Sequence, residues 1–214
     1  MSFPYPTSDA DACANVDAAR RAMRDQALKA RQALSGEARA DLNERLVGHL
    51  DGLLVRLTPA VLGFCWPYRA EPDLRACVTR WLAQGGARIA ALPVVIDKGQ
   101  AMAFRPWTPD CAMKPDRHGI PHPVAGEFVV PDVVLVPLNA FDAEGFRLGY
   151  GGGYFDRTLA RMQPLAVGVG FELGRVASVL PQPHDIAMDW IVTEAGVARP
   201  QPRHTPADQP RNSR

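Results

Sequence analysis

The chain from Val133 to Arg161 reads VVLVPLNAFDAEGFRLGYGGGYFDRTLAR. It opens with a short apolar run that ends at Pro137, a pattern typical of a buried strand. Four glycines follow between positions 149 and 153, and a helical pattern runs from Tyr154 to Met162. The segment therefore predicts a buried strand and a helix joined through a flexible glycine-rich turn.

Such a turn can bind phosphate, because it exposes backbone N–H groups at the positive end of a helix dipole. Arg147 and Asp156 flank the glycines and supply a cation for phosphate oxygens and a carboxylate for a bound Mg²⁺. The turn matches neither common phosphate motif: Tyr154 occupies the third glycine position of Gly-x-Gly-x-x-Gly, and the chain contains no Gly-Lys-Ser/Thr. A glycine-rich surface loop is the alternative interpretation.

The rest of the chain alternates strands and helices, which favours an α/β fold with a largely parallel sheet. Ser35 is a candidate N-cap for a second helix with leucines on one face. Helices are predicted over 16–34, 37–57, 74–84 and 154–162, and strands over 60–66, 88–95, 101–105, 133–137, 165–171 and 190–193. We predict one domain over 16–198, a loose N-terminal extension over 1–15 and a disordered tail over 199–214.

Length and composition are those of a globular protein. The 214 residues suit one compact domain, and 47 % are hydrophobic and 22 % charged. A net charge of +1 gives no reason to expect nucleic acid or an anionic membrane as a partner. The four scattered cysteines contain no Cys-x-x-Cys, which favours reduced thiols in a cytoplasmic protein. We found no signal peptide pattern and no stretch as long as a membrane span.

The segment from Phe141 to Asp156 resembles the signature of 5-formyltetrahydrofolate cyclo-ligases, also called methenyltetrahydrofolate synthetases. That signature reads roughly Phe-Asp-x-x-Gly-x-Arg-Leu-Gly-x-Gly-x-Gly-Tyr-Tyr-Asp, and the chain has FDAEGFRLGYGGGYFD. A weaker resemblance extends from about Arg20 to about Gly196. It implies a three-layer α/β/α fold, similar to that of sugar-phosphate isomerases and CoA transferases. It also implies ATP-dependent conversion of 5-formyltetrahydrofolate to 5,10-methenyltetrahydrofolate.

The resemblance further implies which residues bind ATP and the metal. In the family, an opening Lys-x-x-x-Arg contacts ATP phosphates, and Arg20 and Arg24 fall on those positions. Arg20, Arg24 and Arg31 share one helical face, which could instead be a solvated basic surface. Asp156 and Asp189, the latter in a His-Asp-x-x-x-Asp pattern, would hold Mg²⁺. The implied ATP-binding residues are Arg20, Arg24, Arg147, Gly149, Gly151, Gly152, Gly153, Tyr154 and Phe155, with Arg147 and Asp156 also catalytic.

The implied folate-binding residues follow two strands and the glycine turn. Glu71 would accept hydrogen bonds from the pterin, although it could simply be a partner of a helix N-terminus. Trp66 and Trp107 would line the pocket, although a lone tryptophan is more often in the core. Phe155 replaces the second tyrosine of the signature and keeps only ring packing. His122 replaces the usual glutamate of a Gly-Ile-x-Glu-Pro loop.

Two other functions stay open on the sequence alone. One is an ATP-dependent kinase or ligase of the same fold acting on another substrate, and the other is a non-catalytic paralogue that binds ligand. Retention of Arg147, Asp156 and the glycines argues against the second. We expect a monomer or a weak homodimer whose partners are 5-formyltetrahydrofolate and ATP.

Overall fold

The computed structural model describes residues 9–200. The predicted tail beyond Pro200 and the first eight residues of the predicted extension lie outside this range. Within it, no helix is long and apolar enough to cross a bilayer. The helices are α1 (Asp9–Gln32), α2 (Gly36–Leu57), α3 (Arg75–Ala83) and α4 (Tyr154–Met162). The strands are β1 (Val61–Gly63), β2 (Ile89–Val94), β3 (Ala103–Trp107), β4 (Met113–Pro115), β5 (Pro121–Pro123), β6 (Val133–Pro137), β7 (Ala140–Phe141), β8 (Arg147–Leu148), β9 (Leu165–Val169), β10 (Trp190–Thr193) and β11 (Gly196–Ala198).

One mixed sheet forms the centre of the molecule, with strand order β11-β10-β9-β6-β1-β2-β3. The five inner strands, β10, β9, β6, β1 and β2, are parallel, and the two edge strands are antiparallel to their neighbours. β6 lies between β1 and β9, and four of its five residues are buried, as the apolar run predicts. The largely parallel α/β fold is therefore confirmed.

Helices cover both faces of the sheet. On one face, α2 and α3 pack through Leu46, Leu50 and Trp81 onto Leu62 and Leu135. On the other face, α4 packs through Leu159 and the partly buried Phe155 onto Val134 and Val136. The α/β/α layering follows because β6 has apolar side chains on both faces and both must be covered.

Short-range signals predict several boundaries closely. Ser35 caps α2, with an extended backbone and its Oγ accepting from Ala38 N at 3.1 Å. Gly85 and Gly86 follow α3 with φ of +79° and +81°, as expected of residues that end a helix. Strands β6 and β10 have the predicted limits.

Other elements differ from the prediction. α1 begins at Asp9, so part of the predicted extension is helical. β3 runs from Ala103 to Trp107 and is antiparallel to β2, and the hairpins β4–β5 and β7–β8 were not predicted. On the outer side of β3, Val129 N donates to Phe104 O at 2.9 Å, and the two residues form an isolated antiparallel bridge. The β2–β3, β4–β5 and β7–β8 pairings join consecutive strands, and periodicity does not indicate them because these strands show no clear alternation.

The β7–β8 hairpin carries the glycine turn to the carboxyl edge of the sheet, meaning the edge where the parallel strands end. It follows the end of β6, and Leu138 N donates to Val169 O at 3.0 Å. α1 packs on this hairpin, with Ala27 against Ala140 and Leu148. Residues of α1 are thereby placed beside the glycine turn.

We expect Leu50→Ala to destabilise the fold by about 2–5 kcal/mol. Leu50 is fully buried on the face of α2 that packs on the sheet, and truncation of its side chain leaves a cavity. Val55→Ala, in the same helix but 67 % exposed, is the matched control and should change the free energy of unfolding by less than about 0.5 kcal/mol. Urea unfolding of both variants measures this. Equal effects would contradict the packing of α2 described above.

Candidate active site

The glycine loop, residues Gly149 to Gly153, joins β8 to α4 at the carboxyl edge. Gly151 and Gly153 have φ of +88° and +62°, in the region that favours glycine. Gly153 is also the N-cap of α4, so the free N–H groups of the first helical turn follow it directly. Two positions of the loop therefore have backbone conformations that a side chain would strain.

Basic side chains lie against this loop. Arg24 Nε donates to Gly149 O at 2.7 Å, and a Cβ placed on Gly151 would lie 3.6 Å from the guanidinium carbon of Arg24. Arg157 donates to Gly152 O at 2.6 Å. Burial, and then the positive charge of Arg20, lower the pKa of Arg24. Crowded cations of this kind favour a bound anion, which would relieve their mutual repulsion.

Arg147 and Asp156 form a mostly buried ion pair at the start of α4. Arg147 Nη1 lies 3.1 Å from Asp156 Oδ1 and also donates to Ile186 O at 3.0 Å. Burial lowers the pKa of Arg147, and the charge of Asp156 opposes that shift. The guanidinium also lies 5.9 Å from the ring of Phe155. The two residues predicted to be catalytic are thus in direct contact.

The structure does not bring Asp189 to Asp156, contrary to the predicted metal pair. Asp189 precedes β10, level with Ala166 near the start of β9, and its Oδ2 accepts from Ala166 N at 2.7 Å. Asp156 lies in the first turn of α4, at the carboxyl edge, near the opposite ends of these strands. Within residues 9–200 no three His, Cys, Asp or Glu side chains form a group that could hold a metal. The Asp189 carboxylate therefore binds the start of a strand, and its role as a Mg²⁺ ligand stays a prediction.

Asp185, which the sequence interpretation passed over, is the buried carboxylate of the His-Asp-x-x-x-Asp segment. Arg20 binds it through both Nη atoms, at 2.7 and 3.1 Å, and donates to Leu180 O at 2.8 Å. Arg20 therefore holds the segment after β9 against α1. The His-Asp-x-x-x-Asp motif indicates that this segment lies near the site, but it does not show which of its two aspartates is directed towards α1.

Glu71 lies in a buried polar network with Arg31 and two tyrosines. Its carboxylate accepts from Tyr68 N at 3.0 Å and from the Tyr150 hydroxyl at 2.8 Å. Arg31 Nη2 donates to the same hydroxyl at 2.9 Å and lies 3.9 Å from Glu71 Oε1. Burial raises the pKa of Glu71, and the charge of Arg31 and the hydrogen bond from Tyr150 oppose that shift.

A small cavity adjoins Glu71 where three parallel strands end. It is lined by Cys65 after β1, by Leu135 and Pro137 of β6 and by Val169 of β9. Its volume is about 20 Å³, against roughly 300–1,000 Å³ for a typical ligand site, so it is an apolar corner beside one acidic group and not a complete ring pocket. Open α/β sheets bind ligands at this edge.

The predicted aromatic residues have different environments. Trp66 is half-buried near Glu71, and the guanidinium of Arg75 lies 4.6 Å from its ring. Trp107 is 4 % exposed and packs edge-on against Phe64, with ring centroids 5.0 Å apart. Trp107 therefore packs in the core, and its role as a pocket residue stays a prediction. Tyr154 receives a hydrogen bond on its hydroxyl from Arg117, at the tip of the β4–β5 hairpin.

Comparison with known proteins gives consistent results across sequence and structure. Residues 16–194 match the model of the 5-formyltetrahydrofolate cyclo-ligase family. A 5-formyltetrahydrofolate cyclo-ligase of Mycolicibacterium smegmatis is 31 % identical over 188 residues, which cover 80 % of this chain and 91 % of that protein.

Two solved structures resemble the fold. The NMR structure of the 5,10-methenyltetrahydrofolate synthetase of Aquifex aeolicus superposes with a TM-score of 0.73 at 31 % identity, over 90 % of this chain and 97 % of that one. A 5,10-methenyltetrahydrofolate synthetase from Mycoplasma pneumoniae has a TM-score of 0.66 at 22 % identity, over 82 % of this chain and 98 % of that one. The second likeness concerns the fold alone.

We expect the wild type to lose stability relative to Glu71→Gln as the pH is raised from below the ordinary pKa of glutamate to above the folded pKa of Glu71. Burial raises the pKa of Glu71 above its unfolded value, so the folded chain binds this proton more tightly. That contribution is complete below the unfolded pKa and is lost as the pH passes the folded pKa. Urea unfolding of both proteins across this range measures the difference, and a pH-independent difference would contradict the prediction.

Proposed function

Since the chain belongs to the 5-formyltetrahydrofolate cyclo-ligase family, we propose that the carboxyl-edge site carries out that family's reaction. The reaction is the ATP-dependent cyclisation of 5-formyltetrahydrofolate to 5,10-methenyltetrahydrofolate, with release of ADP and phosphate. The observation that carries the assignment to this site is the glycine loop. Its positive-φ glycines lie between Arg24 and the Arg147–Asp156 pair.

The chemistry requires activation of a poor leaving group. The formyl oxygen attacks the γ-phosphorus of ATP, the bond from that phosphorus to the ADP oxygen breaks, and an imidate phosphate forms. N10 then attacks the formyl carbon and closes the ring, and phosphate leaves with the former formyl oxygen as N10 loses its proton. No protein nucleophile is needed, so the protein contributes positioning and neutralisation of charge.

We assign the triphosphate to the glycine loop and the arginines around it. Arg24 and Arg157 contact the loop directly, Arg147 pairs with Asp156 in the first turn of α4, and the N–H groups of Tyr154 and Phe155 at the start of α4 are the donors. Gly149, Gly151, Gly152 and Gly153 let the backbone approach the phosphates. Arg20 is already bound to Asp185, so we assign it the role of holding α1 and Arg24 in place.

The donor set fits a magnesium ion that arrives with ATP. Mg²⁺ is usually bound by one or two carboxylates together with substrate phosphates and water. Asp156 has one oxygen engaged by Arg147 and Ile186 N, and its side chain is 19 % exposed. We propose Asp156 as the ligand, and the bound ion would neutralise charge on the transferred phosphoryl group.

We propose that the folate ring binds beside Glu71 at the carboxyl edge, outside the small cavity, which is too small to enclose it. The Glu71 carboxylate would accept from N–H donors of a reduced pterin, and the partly buried Trp66 and Phe155 would supply flat apolar surfaces. Trp107 is left out because it is buried in the core. The net charge of +1 gives no reason to propose a nucleic acid or membrane partner. We propose that the protein is cytoplasmic and is a monomer or a weak homodimer.

The direct test mixes purified protein with 5-formyltetrahydrofolate and MgATP and follows absorbance in the near ultraviolet. The methenyl product absorbs where the substrate does not, so a signal that needs both substrates supports the proposal. ADP formation without that absorbance change would favour a kinase acting on another substrate. No turnover together with binding of both ligands would favour a non-catalytic paralogue.

We expect Arg147→Ala to lower kcat/KM for ATP by about 10- to 100-fold, because a hydrogen bond to a charged group contributes roughly 1.5–3 kcal/mol. The KM for ATP should rise more than the KM for folate. Arg161→Ala, an exposed arginine at the other end of α4, is the control and should have no effect. An effect restricted to the KM for folate would assign Arg147 to the wrong ligand.

We expect Gly151→Val and Gly153→Val to abolish most of the rise in melting temperature on adding MgATP. A β-branched side chain tolerates positive φ poorly and would displace the loop from the phosphates. Gly99→Val is the matched control, since Gly99 has φ of +79° in an open turn between β2 and β3. It should lower basal stability similarly but keep the full shift. Full shifts in both loop variants would show that the loop does not bind phosphate.

A further inference from the structure

Tyr150 lies in the glycine loop, between Gly149 and Gly151, at a position that the family signature leaves variable. Its ring packs edge-on against Tyr68, with centroids 5.5 Å apart, and its hydroxyl lies between two buried charged groups. Arg31 Nη2 is 2.9 Å away and Glu71 Oε1 is 2.8 Å away. Arg31 and Glu71 are themselves 3.9 Å apart, so the hydroxyl bridges them.

The hydrogen-bond directions in this bridge are determined by chemistry. A guanidinium can only donate, so the hydroxyl oxygen must accept from Arg31. The hydroxyl proton must then point to Glu71. Tyr150 therefore stabilises the ionised carboxylate, and its removal would leave Glu71 with the hydrogen bond from Tyr68 N.

The bridge connects segments that serve different ligands in the proposed function. Glu71 belongs to the β1–α3 loop, where the folate ring is proposed to bind. Tyr150 belongs to the glycine loop, where the phosphates of ATP are proposed to bind. Arg31, from α1, also donates to Arg69 O at 3.1 Å and to Asn139 Oδ1 at 2.9 Å. Its guanidinium is held on several sides, so the hydroxyl has a firm partner.

We propose that Tyr150 is a positioning residue that couples folate binding at Glu71 to ATP binding at the glycine loop. This inference rests on the proposed function for the assignment of the two ligands. The structure has the hydroxyl on Glu71, so ATP phosphates that hold the loop in this conformation stabilise that contact and with it the carboxylate that binds the pterin. Folate that binds Glu71 holds the same hydroxyl and thereby orders the loop. Thermodynamic linkage requires the two effects to be equal.

The test measures the dissociation constant of 5-formyltetrahydrofolate by calorimetry, with and without a saturating non-hydrolysable ATP analogue and Mg²⁺. In the wild type we expect the analogue to tighten folate binding by about fivefold or more. Tyr150→Phe keeps the ring and removes the hydroxyl. In this variant the ratio of the folate dissociation constants without and with the analogue should fall to about 1. Each ligand should still bind alone.

Tyr68→Phe is the matched control, because it removes a hydroxyl from the other ring of the same aromatic pair. Within residues 9–200 the Tyr68 hydroxyl makes no hydrogen bond to Glu71 or Arg31. This variant should keep the wild-type ratio. A second readout is the pH dependence of folate affinity, which should move to higher pH in Tyr150→Phe because the carboxylate loses a donor. A purely structural role of Tyr150 would not move it.

The outcomes separate this inference from the proposed function. If both ligands bind the wild type without affecting each other, or if Tyr150→Phe keeps the wild-type ratio, the coupling role is wrong and the proposed function stands. If the wild type binds neither ligand, the proposed function fails and this inference fails with it. Loss of the ratio in Tyr150→Phe alone supports the coupling.

Discussion

The buried guanidinium of Arg31 organises the carboxyl edge of the sheet. It is 2 % exposed and donates to Arg69 O, Leu138 O, Asn139 Oδ1 and the Tyr150 hydroxyl. These acceptors belong to the β1–α3 loop, the segment after β6 and the glycine loop, which therefore meet at one cation from α1. A buried charge without partners costs several kcal/mol, so these segments cannot separate without a large penalty. The residues proposed to bind folate and phosphate depend on this arrangement for their relative positions.

The features that the sequence predicted well have local causes. The apolar run of β6, the Ser35 cap and the glycine loop each depend on residues a few positions apart, and the structure has all three. The antiparallel direction of β3 and the β4–β5 hairpin involve strands that are short or contain proline and so show no alternating pattern. Propensity and periodicity carry little information about such pairing.

Contacts within the site depend on the packing of distant segments. The order of residues along the family pattern predicts pocket and metal roles for Trp107 and Asp189, which stay predictions, whereas their side chains pack in the core and bind a strand start. Asp185 and Tyr150 face the site and were not singled out, because their roles arise from contacts with Arg20, Arg31 and Glu71 across more than 70 positions of sequence. A family signature indicates which segments matter, whereas side-chain direction is set by the packing of the whole domain.

The two edges of the sheet have a consequence for behaviour at high concentration. Exposed edge strands can pair with the same strand of another molecule and begin aggregation. Here β11 has three residues, β3 contains Pro106, and Val129 covers part of the outer side of β3 through its bond to Phe104. A short edge and one interrupted by proline both offer few consecutive donors and acceptors to a second chain. The two antiparallel edge strands therefore also protect the sheet against edge-to-edge pairing with a second molecule.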